Sequence, residues 1–380
     1  MNILALKEIG FKPLRFLLAS LGVAFLITGC IGIAGLYRGI VHDALSIIDA
    51  IAGDLWLSEG GRVGPFAETS AVSPTLDERA EGVAGVLEAR RFVQNNLQFD
   101  IGSRRIRIAV TGLDYPKDDG EWMKLLAGRP IESSHYEAIA DRSLGLSLGQ
   151  VVHLGHDDYT IVGLTHGQVD MSGDGLLFVT IPDALDIASA RPSETVLLDR
   201  AQGLGPMADR PSRLSAVVVN VQPGVSASEV EARIAAWDDV TVLTANQERD
   251  ALVNGRLWRL RLQILFFAVL LMTVTGVVIA LTIYNGTVEK LHQIAMLKLI
   301  GARDSFILAM IVQQALLIGF TAYAIAFGLS RLVFPYFPRR LEFLPGDMLA
   351  IFAGLIAACV LGSWFGISRA LRVRAKEVLA

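Results

Sequence analysis

Cysteine is nearly absent from this 380-residue chain: the two present, Cys30 and Cys359, both fall inside long apolar runs. The polar segment between those runs has none, which excludes a disulfide scaffold or a thiolate metal site there. Charge is also scarce, at 19% of residues, and mean hydropathy is +0.48. The balance of −4 argues against a nucleic-acid partner. No G-x-x-x-x-G-K-[ST] loop occurs, so the chain binds no nucleotide through a P-loop. No Ser/His/Asp or Cys/His constellation stands out, so nothing in the sequence points to an enzyme.

The missing charge is concentrated. Phe16–Leu36, Leu262–Tyr284, Phe306–Leu329 and Met348–Ile367 contain no Asp, Glu, Lys, Arg or His. About 20 helical residues cover a hydrocarbon core of roughly 30 Å, and only a helix satisfies its own backbone in lipid. Four transmembrane helices are therefore predicted. The first run exceeds the length of a signal-peptide core and no A-x-A site closes it, so it reads as a retained anchor. Lys7, Lys12 and Arg15 precede it, and Arg369, Arg372, Arg374 and Lys376 follow the last run. Positive flanks favour the cytoplasm, which puts both termini there and residues 37 to about 261 outside. Arg249, Arg256, Arg259 and Arg261 crowd the outer end of the second run, against this rule. Long translocated segments obey it poorly, and the termini decide.

The fold class that follows is an α-helical membrane protein with four transmembrane helices. A large α+β periplasmic domain is inserted between the first and second. The expected divisions are 1–40 (an N-terminal cytoplasmic helix and the first span), 41–258 (the periplasmic domain) and 259–380 (the other spans). Within the insertion, Ser73-Pro74 reads as an N-cap opening a helix through Arg79. Val86–Phe99 with Arg104–Val110 reads as one hairpin, and Val151–Leu154 with Tyr159–Leu164 as a second. Val217–Val221, Ala227–Trp237 and Val240–Leu243 read as a β-α-β unit. Residues 246–261 read as helix running into the second span. His153, His156, Asp157 and Asp158 straddle the second hairpin's turn, where polar residues belong without any metal.

Small residues recur every four positions in two spans: Ser20, Ala24, Thr28 and Gly32, and Ala350, Gly354, Ala358 and Gly362. Such stripes let helix backbones approach closely. They fit packing within one subunit and a seam between two copies equally.

The segment EKLHQIAMLKLIGARD, residues 289–304, joins the second and third runs. As a helix it carries Leu291, Ile294, Leu297 and Ile300 at i, i+3 spacing, with Glu289, Lys290, Gln293 and Lys298 off that stripe and Gly301 placed to end it. This suits an interfacial helix or one offered to a partner's groove.

The pattern E-x-x-x-x-I-A-x-L-K-x-I-G-A over residues 289–302 resembles the FtsX-like permeases of the MacB type, the type VII ABC transporters. The resemblance extends to the layout of one span, a large exterior domain, three spans and a basic tail. Asp54-Leu55-Trp56-Leu57, Gly64-Pro65-Phe66-Ala67-Glu68 and Val169-Asp170-Met171-Ser172-Gly173 look like the DevC-like branch. Leu146-Ser147-Leu148-Gly149-Gln150, superficially an ABC-ATPase signature, matches the family's exterior core domain instead.

By that resemblance, residues 287–303 form a cytoplasmic coupling helix. Glu289, Leu291, Ile294, Leu297, Lys298, Ile300, Gly301 and Ala302 would then contact a separate ATPase that holds the ATP and Mg, this chain needing no cofactor. The implied protein is a non-catalytic permease subunit of an exporter in a bacterial inner membrane. It would be a homodimer that passes ATP-driven motion to the periplasmic domain (mechanotransmission), with a periplasmic membrane-fusion adaptor and an outer-membrane duct as further partners. The alternative is a transmembrane signal transmitter regulating a cell-wall hydrolase, as in cell-division relatives. The substrate is not readable.

Overall fold

The first apolar run belongs to a much longer helix, α1 (Pro13–Ile51), because nothing from Tyr37 to Ile51 breaks the pattern: no proline and one glycine. Ala52, at positive φ, and Gly53 end it. The computed structural model describes residues 13–101, 104–190, 213–289 and 291–370. The helix expected before the first span and the basic residues Arg372, Arg374 and Lys376 lie outside them.

Contacts divide the chain into two units: Ile40–Trp258, and the residues through Gly39 together with Arg259 onward. Among the described residues the inserted unit has ten strands: β1 (Leu55–Glu59), β2 (Val86–Ile101), β3 (Arg104–Leu113), β4 (Leu125–Gly128), β5 (Glu137–Asp141), β6 (Val151–Leu154), β7 (Asp157–Thr165), β8 (Gly175–Thr180), β9 (Ala216–Val221) and β10 (Val240–Thr244). Their order is β10-β1-β9-β2-β3-β8-β5-β7-β4, with β6 beside β7. Both expected hairpins form, β2 with β3 and β6 with β7.

The β-α-β reading needs refinement. β9 and β10 are joined through the helix α4 (Ala227–Ile234), yet β1 lies between them and pairs antiparallel with each. The unit is a split one, completed by a strand from far earlier in the chain. Helices α2 (Leu76–Glu81) and α3 (Ile181–Ser189) complete this part. The α2 N-cap is Thr75 and not Ser73; the Ser73 hydroxyl instead accepts from the Thr75 amide at 3.4 Å, so Pro74 sits in a turn before the helix. The core is apolar and large: Trp56, Tyr159, Phe178, Leu55, Leu57 and Ile108 are fully buried. Each such side chain contributes on the order of 2 kcal/mol through removal from water.

The second unit holds the rest of the apolar helices: α6 (Trp258–Glu289), α7 (Leu291–Leu299), α8 (Asp304–Val333) and α9 (Pro345–Ala370). α1, α6, α8 and α9 are long and apolar enough to cross a membrane. Their common core comprises Val23, Ala24, Ile27 and Ile31 of α1, Ile279 and Ile283 of α6, Ile307, Ile311, Ala315 and Ile318 of α8, and Leu355 and Cys359 of α9. The rest of α6 is outward and apolar, with Leu265, Phe266, Val269, Val277 and Leu281 each more than half exposed. A helix apolar all round and exposed over most of its surface needs a non-aqueous solvent. The approach to α6 is helical as expected but not straight: α5 (Ala245–Asp250) carries a capping box from Thr244 and Gln247, and a π-helical turn follows over Ala251–Arg256.

Candidate functional site

The connecting helix α7 is held between α6 and α8. It ends where Gly301 adopts φ +99°, with the Ile300 amide donating to Met296 O at 3.1 Å and the Ala302 amide to Leu297 O at 3.0 Å. Only glycine takes that conformation without strain, so Gly301 is the stop that the sequence places there. Beyond it, Ala302, Arg303, Ser305, Phe306 and Ala309 line an open cavity of about 580 Å³.

The apolar stripe expected of this helix does not stay on one face. Ile294 is 8% exposed and packs with Ile283, Ile307 and Ile311 in the helix core, with Ala295 also buried, whereas Ile300 is 83% exposed. The reason is geometric. At about 100° per residue, each step of three falls about 60° short of a full turn, so Ile300 ends roughly opposite Leu291. Leu297 is half-buried, Gly301 is exposed and Ala302 half-buried. Glu289, the last residue of α6, is exposed. Residue Lys290 and the side chains of Leu291 and Lys298 lie outside the described residues. The outward apolar surface is Met296, Leu299 and Ile300, with His292 and Gln293 beside it. Reading spacing alone misses Met296 and Leu299; plotting angles around the helix finds them.

The small-residue stripes settle against helices of the same chain. Ser20 and Ala24 are fully buried, and the Thr28 hydroxyl donates to Ala24 O at 2.8 Å. A Cβ added at Gly32 would lie 3.3 Å from the Phe334 ring. In α9, Gly354 faces Met272, Ala358 lies 3.7 Å from where a Gly276 Cβ would stand, and Gly362 faces Gly276 O and Ala280 of α6. Ala350 is exposed and outside this contact. Gly362 therefore acts as the close-approach point between α6 and α9, which run parallel.

In the inserted unit the distinctive motifs are structural. Asp170 caps its own turn: Oδ1 accepts from the Ser172 and Asp174 amides at 2.9 and 2.8 Å, and Oδ2 accepts from the Asn96 amide group. Leu146–Gln150 forms the turn into β6, with Gly149 at φ +76° and the Gln150 side chain accepting from the Ser147 amide. His153 and Asp158 are cross-strand partners at 2.9 Å, both well exposed. Among the described residues, no group of three or more His, Cys, Asp or Glu could hold a metal ion.

Trp56 of β1 meets Phe66 and Phe92 edge-on at centroid distances of 5.2 and 5.5 Å, which draws the 60–68 loop onto the sheet. The Arg256 guanidinium donates to Phe66 O at 2.6 Å. Beneath that loop is a residue that the sequence does not advertise. Glu248 of α5 is fully buried, and among the described residues neither carboxylate oxygen has a donor in hydrogen-bonding geometry. Burial pushes its carboxyl up to about 7, and the nearby Phe66 amide offsets only part of this. By contrast, the Arg129 guanidinium, 2.5 Å from Glu137, holds that carboxyl below its usual range, helped by the Glu132 and Ser133 amides.

Comparison with known proteins decides what these parts belong to. Residues 16–237 match the MacB-like periplasmic core domain, and residues 265–375 match the FtsX-like permease C-terminal region. The chain belongs to this family and is an ABC transporter permease of the MacB/FtsX type. It is similar to an uncharacterised ABC transporter permease of Mycobacterium tuberculosis, 22% identical over 97% of this permease and 96% of that one. A second, from Mycobacterium bovis, is 21% identical over 93% of each chain. Among solved structures, the permease is similar to the periplasmic region of MacB from Actinobacillus actinomycetemcomitans (TM-score 0.38, 12% identity, 54% of this chain and 94% of that one). It is also similar to the extracellular domain of the ABC-type transporter YknZ from Gram-positive bacteria (TM-score 0.34, 12% identity, 50% and 99%). The MacB-like domain of the permease lies between its first apolar helix and the later ones. Being an ABC transporter permease implies a partner ATPase, and such permeases are generally non-catalytic.

Proposed function

We propose that this permease works as a homodimer in a bacterial inner membrane, both termini cytoplasmic. In this reading it transmits ATP-driven closure of two separate ATPase subunits to its exterior domain, which drives export there. ATP and Mg are held by the ATPase, and α7 is the coupling element. The observation that carries this is the division of α7 into two faces. Ile294 and Ala295 are sunk in the helix core, so the helix cannot move without the spans, while Met296, Leu299 and Ile300 are left outside. Past Gly301, the residues Ala302, Arg303, Ser305, Phe306 and Ala309 line the cavity of about 580 Å³. One face grips the spans and the other is available to a groove, which is what a coupling element needs. An adaptor and an outer-membrane duct are the partners this reading adds on the exterior side.

The test is co-purification with the ATPase. Leu299→Asp or Ile300→Asp strands a charge in an apolar contact, at several kcal/mol, without touching the helix core. Each variant should insert and melt like the parent yet lose the bound ATPase and its stimulated turnover. A full complement of ATPase on both variants sinks the coupling assignment.

A further inference from the structure

The end of the helical unit from which the inserted domain departs is strongly basic, the feature that runs against the charge rule for spans. Contacts place its parts in one layer. Gly29 faces Leu271, Gly32 faces Phe334, Gly35 faces Phe343, and Gly39 backs onto the Arg340 carbonyl. Following α1 and α6 outward by equal lengths from Gly29 and Leu271 brings Gly39 level with Arg261. This layer holds Arg38, Arg259, Arg261, Arg331, Arg339 and Arg340.

Its carboxylates do not suffice. Asp347 accepts a bidentate pair from Arg38 at 2.8 and 2.9 Å, and Glu342 lies 3.6 Å from Arg340. Among the described residues, Arg259, Arg261, Arg331 and Arg339 have no carboxylate partner. Arg331 instead lies over the Phe327 ring at 4.9 Å. Around them the connection from α8 to α9 exposes Tyr336 (87%), whose amphipathic ring type settles at the boundary between hydrocarbon and head groups, next to the apolar Phe337 (44%). A cation there needs an anion, and lipids of net negative charge supply one at that depth, at about 1 kcal/mol for each basic residue.

We propose that this arginine collar binds the phosphate groups of anionic bilayer lipids in the leaflet on the side of the inserted domain. The collar thereby anchors the outer ends of α6 and α8 and offsets the adverse charge asymmetry of the spans. Neither export nor the coupling role of α7 is required for it.

The experiment is native mass spectrometry of the full-length permease, released from neutral detergent after equilibration with an equal mixture of phosphatidylglycerol and phosphatidylcholine of matched chains. The wild type should retain phosphatidylglycerol several-fold over phosphatidylcholine. A variant carrying Arg259→Gln, Arg261→Gln, Arg331→Gln and Arg339→Gln should lose that preference by at least a factor of about five, the effect expected of even one basic residue at an anionic surface. The matching set of four Arg→Lys substitutions should keep most of it, which ties the preference to charge. Should the fourfold glutamine variant fail to fold, Arg259→Gln with Arg261→Gln alone should still lower the preference, and an unchanged preference in that folded pair overturns the proposal equally. Arg303→Gln, near the other end of α8, should leave the preference unchanged, and so should millimolar inorganic phosphate. The proposal is overturned by equal retention of both lipids in the wild type, by full preference in a folded glutamine variant, or by its loss in the lysine variant. Loss with Arg303→Gln, or displacement by free phosphate, overturns it equally.

Discussion

Replacing Glu248 by glutamine should remove a pH-dependent penalty that the inserted domain carries near neutrality. The carboxyl is fully buried with no donor in hydrogen-bonding geometry among the described residues, and burial raises its pKa from a normal 4.5 to about 7. The sign follows from which state holds the proton. Between about pH 4.5 and 7 the folded chain keeps it while the unfolded chain has released it, so stability falls as pH rises through that window and levels off above it. The total loss is on the order of 3 kcal/mol. Glutamine has nearly the same shape and no charge to desolvate, so it should match the wild type at pH 4.5 and exceed it by up to about 3 kcal/mol at pH 8. Glu81, Glu137 and Asp239 are each held low, foremost by a hydrogen bond from Lys117, Arg129 and Arg79 respectively. Their stabilisation is lost only as pH falls below the ordinary carboxylate range, and it is common to both proteins. The assay is denaturant unfolding of the detergent-solubilised permease followed by tryptophan fluorescence, with Trp56 reporting from beside the 60–68 loop. Parallel stability curves for wild type and Glu248→Gln from pH 4.5 to 8 would refute the reasoning, because the carboxyl would then have found a partner or water.

Gly64→Ala tests the same site from the loop side. Gly64 sits at φ +76°, and an added Cβ would fall on the Glu248 carboxylate, so a loss of about 1–3 kcal/mol is expected in the same unfolding assay. A wild-type midpoint would mean that the loop does not lie on Glu248. In the helical unit, Gly362→Leu has no room, since even its Cβ would lie 3.2 Å from Gly276 O and 3.3 Å from Ala280 N. It should lower the thermal midpoint of the permease in detergent by the equivalent of about 1–3 kcal/mol. Gly354→Ala, which meets only the flexible Met272 thioether, should be nearly neutral; equal melting of both variants would show that α9 does not pack on α6 through this stripe.

Much of the architecture is legible in the amino-acid sequence, because it depends on local properties. Four charge-free runs announce helices for an apolar solvent, since no other backbone conformation satisfies itself there. Alternation around Arg104–Val110 and the turn at Gly155-His156 give two hairpins, and Gly301 marks where α7 stops, because each is decided within a few residues. The pattern at 289–302 carries the family for the same reason: it is contiguous. What the sequence leaves open depends on distant parts of the chain. β1 enters between β9 and β10 from more than a hundred residues away, and no local pattern reports that insertion. The glycine stripe of α9 is compatible with any close neighbour until the Gly276–Ala280 stretch of α6 is seen to fill it. Ile294 and Ile300 are equally apolar, and only the packing of α7 between α6 and α8 puts one in the core and the other outside. Glu248 lies in a polar stretch that reads as a solvated helix. It is the folding of the 60–68 loop over α5 that takes its carboxyl out of water and makes it sensitive to pH.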